Sequence, residues 1–181
     1  AGVPGTVAGM HHALTRYGTM SWAEALAPAI AVAEAGMRVS PDLATALSRR
    51  QKWLGRDPAT LETFYKGGGE PYAPGEVLRQ PKLAKTLRRI AEDGPDAFYK
   101  GPIADLIVAA MIDNDGLITH EDLARYRAVE REPVVGSYRG LKIVSMPPPS
   151  SGGVLLVQML NVLERFDIAE SGFGSARTIH L

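Results

Sequence analysis

Two serines and two glycines, Ser150-Ser151-Gly152-Gly153, stand directly behind Met146-Pro147-Pro148-Pro149 and directly ahead of an apolar run of helical period, Val154 to Phe166. Three prolines fix φ and remove three N–H donors, so the chain arrives here as a stiff, extended segment. A side-chain-free backbone at the opening of a helix is a place where another group can approach the main chain closely. The hydroxyls raise the question of serine catalysis, and the spacing argues against it. There is no G-x-S-x-G elbow, and no His/Asp pair is marked as a partner for either serine. Helix capping by a hydroxyl accounts for Ser150 and Ser151 more simply. Ser150, Ser151, Gly152 and Gly153 are therefore expected to shape a neighbouring pocket, and no catalytic residue is assigned.

Metal chemistry has one candidate stretch, Asp113-Asn114-Asp115-Gly116-Leu117-Ile118-Thr119-His120-Glu121-Asp122. With Gly116 at the glycine position of a calcium loop, Asp113, Asp115 and Asp122 fall on ligand positions. The first ligand position is then Met111, which offers no oxygen, and the last is Asp where a bidentate Glu belongs. Gly116 as a helix C-cap, followed by a Thr119/Asp122 capping box, explains more of the same residues. His11 and His12 are neighbours, so on a helix they point about 100° apart and cannot share an ion. His120 and His180 are isolated, and no H-x-x-x-H spacing occurs. There is no cysteine, hence no thiolate nucleophile, Cys-based zinc site or disulfide. No metal and no cofactor is expected.

The elements around these residues are mostly helical. Val7, Met10, Leu14 and Tyr17 recur at helical steps between Pro4 and Gly18. Ser21 and Glu24 form a capping box that opens an alanine-rich helix closing at Gly36, with a kink or restart expected at Pro28. Ser40-Pro41 starts a helix to about Trp53. Pro81 opens another, with Leu83, Leu87 and Ile90 on its inner face, ended by Gly94-Pro95. Pro102 opens the next, with Ile103, Leu106, Ile107 and Ala110 as its apolar stripe. Lys66 to Gly75, rich in glycine and proline, is a surface loop. The only strong strand signals are Val134–Tyr138 and Leu141–Met146, joined by Arg139-Gly140 as a hairpin turn. Trp22, Trp53 and the six methionines are expected to fill core or interface.

In bulk the chain is ordinary for a globular protein, and its length fits one domain or a large part of one. Twenty basic and twenty acidic residues cancel, leaving no electrostatic footprint for nucleic acid. No apolar run approaches the roughly 18–20 residues that span a bilayer, so no membrane span is expected. Ser175 reads as an N-cap for a helix over 176–181, too short to hold itself in water. The expected organisation is one partial domain over residues 1–181, an internal piece of something longer. It is helical over 1–126, with a β-hairpin, Pro-rich loop and helix over 127–170, and a cut-off helix over 175–181.

The stretches together resemble one enzyme family. Val3-Pro4-Gly5-Thr6-Val7-Ala8-Gly9 and Tyr17-Gly18-Thr19-Met20 are similar to the V-P-G-T-V-A-G and Y-G-T-M segments of the γ-glutamyltransferase (γ-glutamyl transpeptidase) family. Pro28-Ala29-Ile30, Ala33 and Gly36 resemble its P-A-I/F-x-x-A-x-x-G helix. Gly94-Pro95-Asp96-Ala97-Phe98-Tyr99-Lys100-Gly101 resembles its G-P-x-x-F-Y-x-G turn. Gly116-Leu117-Ile118-Thr119 with Asp122-Leu123 resembles G-G-x-I/L-T-x-x-D-L, and Met146 to Gly153 resembles M-P-P-P-S-S-G-G. These ordered matches cover nearly the whole chain.

The resemblance implies a mainly α chain with a small β element (α+β), a segment of an N-terminal-nucleophile hydrolase αββα fold. Such an enzyme is a precursor that cuts itself into a large and a small subunit. The threonine freed at the new N-terminus takes the γ-glutamyl group of glutathione or a related amide and passes it to water or an amino acid. That nucleophile, the serine and glycine pairs of the oxyanion hole and the arginine that grips the α-carboxylate all fall outside these 181 residues on this reading. Ser150 to Gly153 therefore inherits no catalytic role. The implied partners are the remainder of the precursor, including the small subunit, and a small γ-glutamyl substrate. The implied compartment is periplasmic or extracellular. A sister amidohydrolase, of cephalosporin acylase or polyglutamate-processing type, and a non-catalytic helical binding module are the alternatives.

Overall fold

Helix starts in this chain are set by short polar side chains and prolines, and most elements begin where those residues stand. The computed structural model describes residues 2–181, so Ala1 lies outside the described residues. Contacts divide the chain into two compact units, Ala1–Ala128 and Val129–Leu181. The first holds α1 (Thr6–Tyr17), α2 (Trp22–Ala35), β1 (Met37–Arg38), α3 (Pro41–Leu54), α4 (Pro58–Phe64), β2 (Val77–Leu78), α5 (Pro81–Asp93), α6 (Asp96–Tyr99), α7 (Pro102–Asp113) and α8 (His120–Arg125). The second holds β3 (Val134–Tyr138), β4 (Leu141–Ser145), α9 (Gly152–Leu163), α10 (Ile168–Ser171) and α11 (Ala176–His180). The chain is thus mainly helical with small antiparallel sheets.

Side-chain capping sets several helix starts, the clearest at α2, α3 and α8. The Ser21 hydroxyl accepts the Glu24 N–H while the Glu24 carboxylate accepts the Ser21 N–H, the reciprocal box that satisfies two orphan donors. Ser40 accepts from Leu43 N, with Pro41 at the first helical position. Thr119 and Asp122 repeat the box at α8. Pro28 does not restart α2, which runs unbroken from Trp22 to Ala35. One missing N–H is outweighed there by the flanking alanine-rich turns and by packing against α5, which the Trp22 indole reinforces by donating to Ile90 O at 2.9 Å.

Two apolar stripes differ from the periodicity. On α5 the buried residues are Ala84 and Ile90, whereas Leu83 is exposed. On α7 they are Ala104 and Val108, with Ile107 half-buried, and Leu106 and Ala110 face outward. Small residues let the helices approach closely, so alanines rather than leucines mark the inner faces. Trp53 and five of the six methionines are exposed, so they do not fill the core of this chain.

Gly116 is not the residue that turns α7. The left-handed position is taken by Asp115 (φ 53), and Gly116 N donates back to Met111 O at 2.7 Å, the outer bond of a Schellman closure. Gly116 follows because a Cβ there would stand 2.5 Å from Met111 Sδ.

The pair β1–β2 has no sequence signal, being two residues long on each side. It holds Val39 and Leu78 in a cluster with Ala44, against which Leu43, Phe64 and Tyr72 pack. In the second unit Arg139 (φ 48) and Gly140 (φ 80) form the two-residue turn expected between β3 and β4. Positive φ at both positions is the type I′ geometry that matches strand twist. Val134, Gly136 and Tyr138 lie on the half-buried face of β3, and a Cβ on Gly136 would meet Val157 of α9 at 2.7 Å. The hairpin therefore packs one face on α9.

Candidate functional site

The Pro-rich segment leaves β4 at Ser145 and reverses before α9. Ser150 N donates to Pro147 O at 3.2 Å across a cis Pro148–Pro149 bond, a turn with cis-proline at its third position. The Ser150 hydroxyl accepts the Gly152 N–H at 3.3 Å, so it caps the first turn as a serine ahead of a helix should. Ser151 is the N-cap by position but makes no side-chain capping bond, and its carbonyl accepts Leu155 N. The only polar side-chain bond among these four residues is thus a capping bond.

Gly153 is the buried residue of the four. A Cβ there would stand 2.1 Å from Met146 O, closer than any real contact. The close approach expected of this glycine is made by the chain's own carbonyl. It closes the loop onto the first turn of α9 and fixes where Pro147 to Ser150 lie. Beside them is an open groove of about 770 Å³, with Val129, Arg131, Val144, Met146 and Pro148 on its walls and Ser150 at its end. Apolar walls with one guanidinium and the hydroxyls of Ser145 and Ser150 can orient an anionic or hydrogen-bonding group, and they hold no nucleophile–base pair. No sequence pattern marks Arg131.

The other motif stretches meet elsewhere, and they meet each other. Tyr99 and Leu123 belong to one buried cluster with Ala104 and Val108, against which Val3, Val7, Ala8, Phe98, Ile118 and Tyr126 pack. The V-P-G-T-V-A-G, F-Y and G-x-I-T-x-x-D-L stretches are therefore three walls of a single core. The Tyr99 hydroxyl donates to Pro4 O at 2.7 Å and accepts from Ala8 N at 3.2 Å, which ties the entry of α1 to α6. Burial pushes the Tyr99 phenol up. Gly5 is required because a Cβ would stand 2.0 Å from the Tyr126 hydroxyl.

The acidic stretch that imitates a calcium loop has other work. The Asp122 carboxylate accepts both the Thr119 hydroxyl (2.7 Å) and the Thr119 N–H (2.9 Å), and these bonds hold its carboxyl below the usual range. Among the described residues no group of three His, Asp or Glu side chains converges to hold a metal ion. His120 pairs with Asp105 at 2.9 Å, and the His11 ring meets Trp22 edge-on with centroids 5.1 Å apart.

Three sequence motifs thus build one core, and a fourth closes a loop on a helix. The family model for gamma-glutamyltranspeptidase matches residues 1–181, and the chain belongs to that family. It is 48% identical over 181 residues to a glutathione hydrolase proenzyme of Escherichia coli (strain K12), covering all of this chain and 31% of that protein. It is 46% identical over 179 residues to the acylase ACY 1 proenzyme of Pseudomonas sp. (strain SE83), covering 99% of this chain and 32% of the relative. The crystal structure of Helicobacter pylori gamma-glutamyltranspeptidase superposes with a TM-score of 0.95 at 46% identity, covering 99% of this chain and 52% of that one. The chain spans about a third of the length of the curated relatives it matches. The fold is a segment of an N-terminal-nucleophile hydrolase. Among the described residues no helix is long and apolar enough to cross a membrane.

Proposed function

We propose that this chain is a large-subunit segment of a γ-glutamyltransferase-type enzyme that acts on glutathione or related γ-glutamyl amides. On this reading the reaction runs through an acyl-enzyme. A threonine hydroxyl attacks the γ-carbonyl, its own α-amine takes the proton, and the amine leaving group departs protonated. Water or an amino acid then cleaves the ester, and backbone N–H donors stabilise each tetrahedral oxyanion. These 181 residues supply the support and not the nucleophile. The remainder of the precursor, with the small subunit, is the partner, and the enzyme works in a periplasmic or extracellular space.

The observation that carries the reading is the end-to-end family match, joined to a loop whose serine hydroxyl is spent on capping. Ser150, Ser151, Gly152 and Gly153 act by placing a pocket wall. A related acylase is the second reading, because identity to the Pseudomonas acylase is nearly as high as to the glutathione hydrolase.

The test is hydrolysis of a γ-glutamyl anilide by the 181-residue chain with its intact mass verified, alongside the same chain joined to the remaining two-thirds of a relative. Activity only in the joined protein supports the proposal. Turnover by the chain alone that is lost in Ser150→Ala or Ser151→Ala would sink it and put the chemistry in the loop. Turnover of an acyl side-chain amide in preference to the γ-glutamyl anilide would favour the acylase.

A further inference from the structure

His11 and His12 take no part in the Pro-rich loop, and they are not idle in space. Both lie with Ala8 and Thr15, at helical steps of three and four, on one wall of a cleft of about 450 Å³. Asp96 of α6 and Lys100, the residue after that helix, stand on the second wall, and Arg127, two residues beyond α8, on the third. The floor is a fixed aromatic surface. The Tyr99 and Tyr126 rings stack with centroids 5.6 Å apart and planes 10° from parallel, and the Tyr99 hydroxyl is already held by Pro4 and Ala8.

The charge in the cleft is one-sided. A guanidinium and an ammonium face a single carboxylate, with two imidazoles beside them. The Arg127 guanidinium is pinned, since its Nη1 donates to Ala124 O at 2.8 Å and to Tyr126 O at 2.7 Å. Both bonds use one nitrogen, so they leave the rest of the fork uncommitted, and a fork already held loses little freedom when it grips an anion. Lys100 Nζ, at the end of α6, lies 3.1 Å from Asp96 Oδ1 at its start, which sets it beside the cleft. The cleft's volume falls within the roughly 300–1,000 Å³ of small-molecule sites.

The guanidinium and the ammonium come from two separate segments of the chain, so an anion with more than one acidic group can meet both. We propose that this cleft binds a small polyanion carrying two or three carboxylate or phosphate groups over the Tyr99–Tyr126 floor. The site is independent of the catalytic reading above and stands without it.

The experiment is calorimetric titration of the folded protein with citrate and, separately, with inorganic tripolyphosphate, at low salt. Saturable binding at one site per chain is expected for one of the two, citrate assigning carboxylates and tripolyphosphate assigning phosphates. Arg127→Ala and Lys100→Ala should each weaken it about tenfold, as loss of a charge-assisted hydrogen bond does. Lys142→Ala, which removes the same charge from the β-hairpin, should leave affinity unchanged. Arg127→Lys keeps the charge without the fork and should weaken binding by less than Arg127→Ala, which guards against a variant that simply misfolds. Absence of saturable binding for both anions, or equal weakening by Lys142→Ala, overturns the proposal.

Discussion

The two units of this chain bury their apolar residues to very different degrees. Every buried hydrophobic residue among those described, from Ala33 to Leu123, lies in the first unit. In the second unit the loop glycine Gly153 is buried, while Val135, Val144, Met146, Val154, Leu155 and Met159 are all exposed. The pattern inside the second unit is regular. Val157, Leu160 and Leu163 of α9 are half-buried, and another face, with Leu155, Met159 and Val162, is apolar and open. The cross-strand pair Val135–Val144 lies on the hairpin face opposite to Gly136 and Ile143, and it is exposed too. A strand pair and a helix that are apolar on both sides are the inner layers of a larger packing. The first unit carries closed cores of its own, whereas the second is built for a place between further layers, as the proposed role in a longer enzyme requires.

The sharpest way to break this contrast is in the first unit's core. Leu123→Ala removes a side chain with no exposure and should cost about 2–5 kcal/mol, read as a lower thermal midpoint. Gly153→Ala comes next. Its Cβ must displace the Met146 carbonyl, and overpacking of that kind costs about 1–3 kcal/mol. Hydrogen exchange should show the loss over β3, β4 and α9 while the first unit stays protected. Equal loss in both units would mean that they do not unfold separately. Tyr99→Phe deletes the hydroxyl shared by Pro4 and Ala8, for about 1–2 kcal/mol, and should free the amides at the start of α1.

A smaller effect comes from acid. Glu24, Asp57, Glu76 and Asp122 all have lowered carboxyl pKa values, the first, second and fourth chiefly through a neighbouring hydroxyl and Glu76 chiefly through the Ala73 N–H. A lowered folded pKa gives stability that is whole above the unfolded value and fades as pH falls through the folded one. The first unit should therefore weaken below about pH 4, near the ordinary carboxylate range, and Thr119→Ala should flatten that acid limb. All four groups lie in the first unit, so the acid limb is expected in that unit's unfolding. Last, Val135→Ser and Val144→Ser should change stability by no more than about 0.5 kcal/mol, and should lower the binding of an apolar dye. A large destabilisation there would mean that this hairpin face is packed after all.

How much of this was legible depended on how local the cause was. The boxes at Ser21 and Thr119, the Ser40-Pro41 start and the Arg139-Gly140 turn each depend on residues within three positions, and they stand where the sequence puts them. The inner faces of α5 and α7 are legible only in part: Ile90 and Ile107 lie inward, but periodicity ranks leucine above alanine while close helix approach does the reverse. The β1–β2 pair joins residues some forty positions apart through two backbone partners on each strand, too few to leave a pattern. The Pro-rich stretch was visible as a special place. That Gly153 faces Met146 O, and that Arg131 joins the groove, are facts of the folded chain and have no local mark.

The hairpin tip has a further consequence. Arg139 N donates to Glu164 Oε1 at 2.5 Å and its guanidinium to Phe166 O at 2.8 Å, so the turn is tied to the far end of α9. Gly153 ties the near end to Met146. Between those two fastenings the hairpin's second strand, the loop and the helix form a closed circuit of fixed length. A residue added or deleted in α9 would rotate one end of the helix by about 100° against the other, and one in β4 would turn its inner face outward. Over evolutionary time, insertions in this family should be absorbed in open connections such as Lys66 to Gly75, and this circuit should change its letters without changing its count.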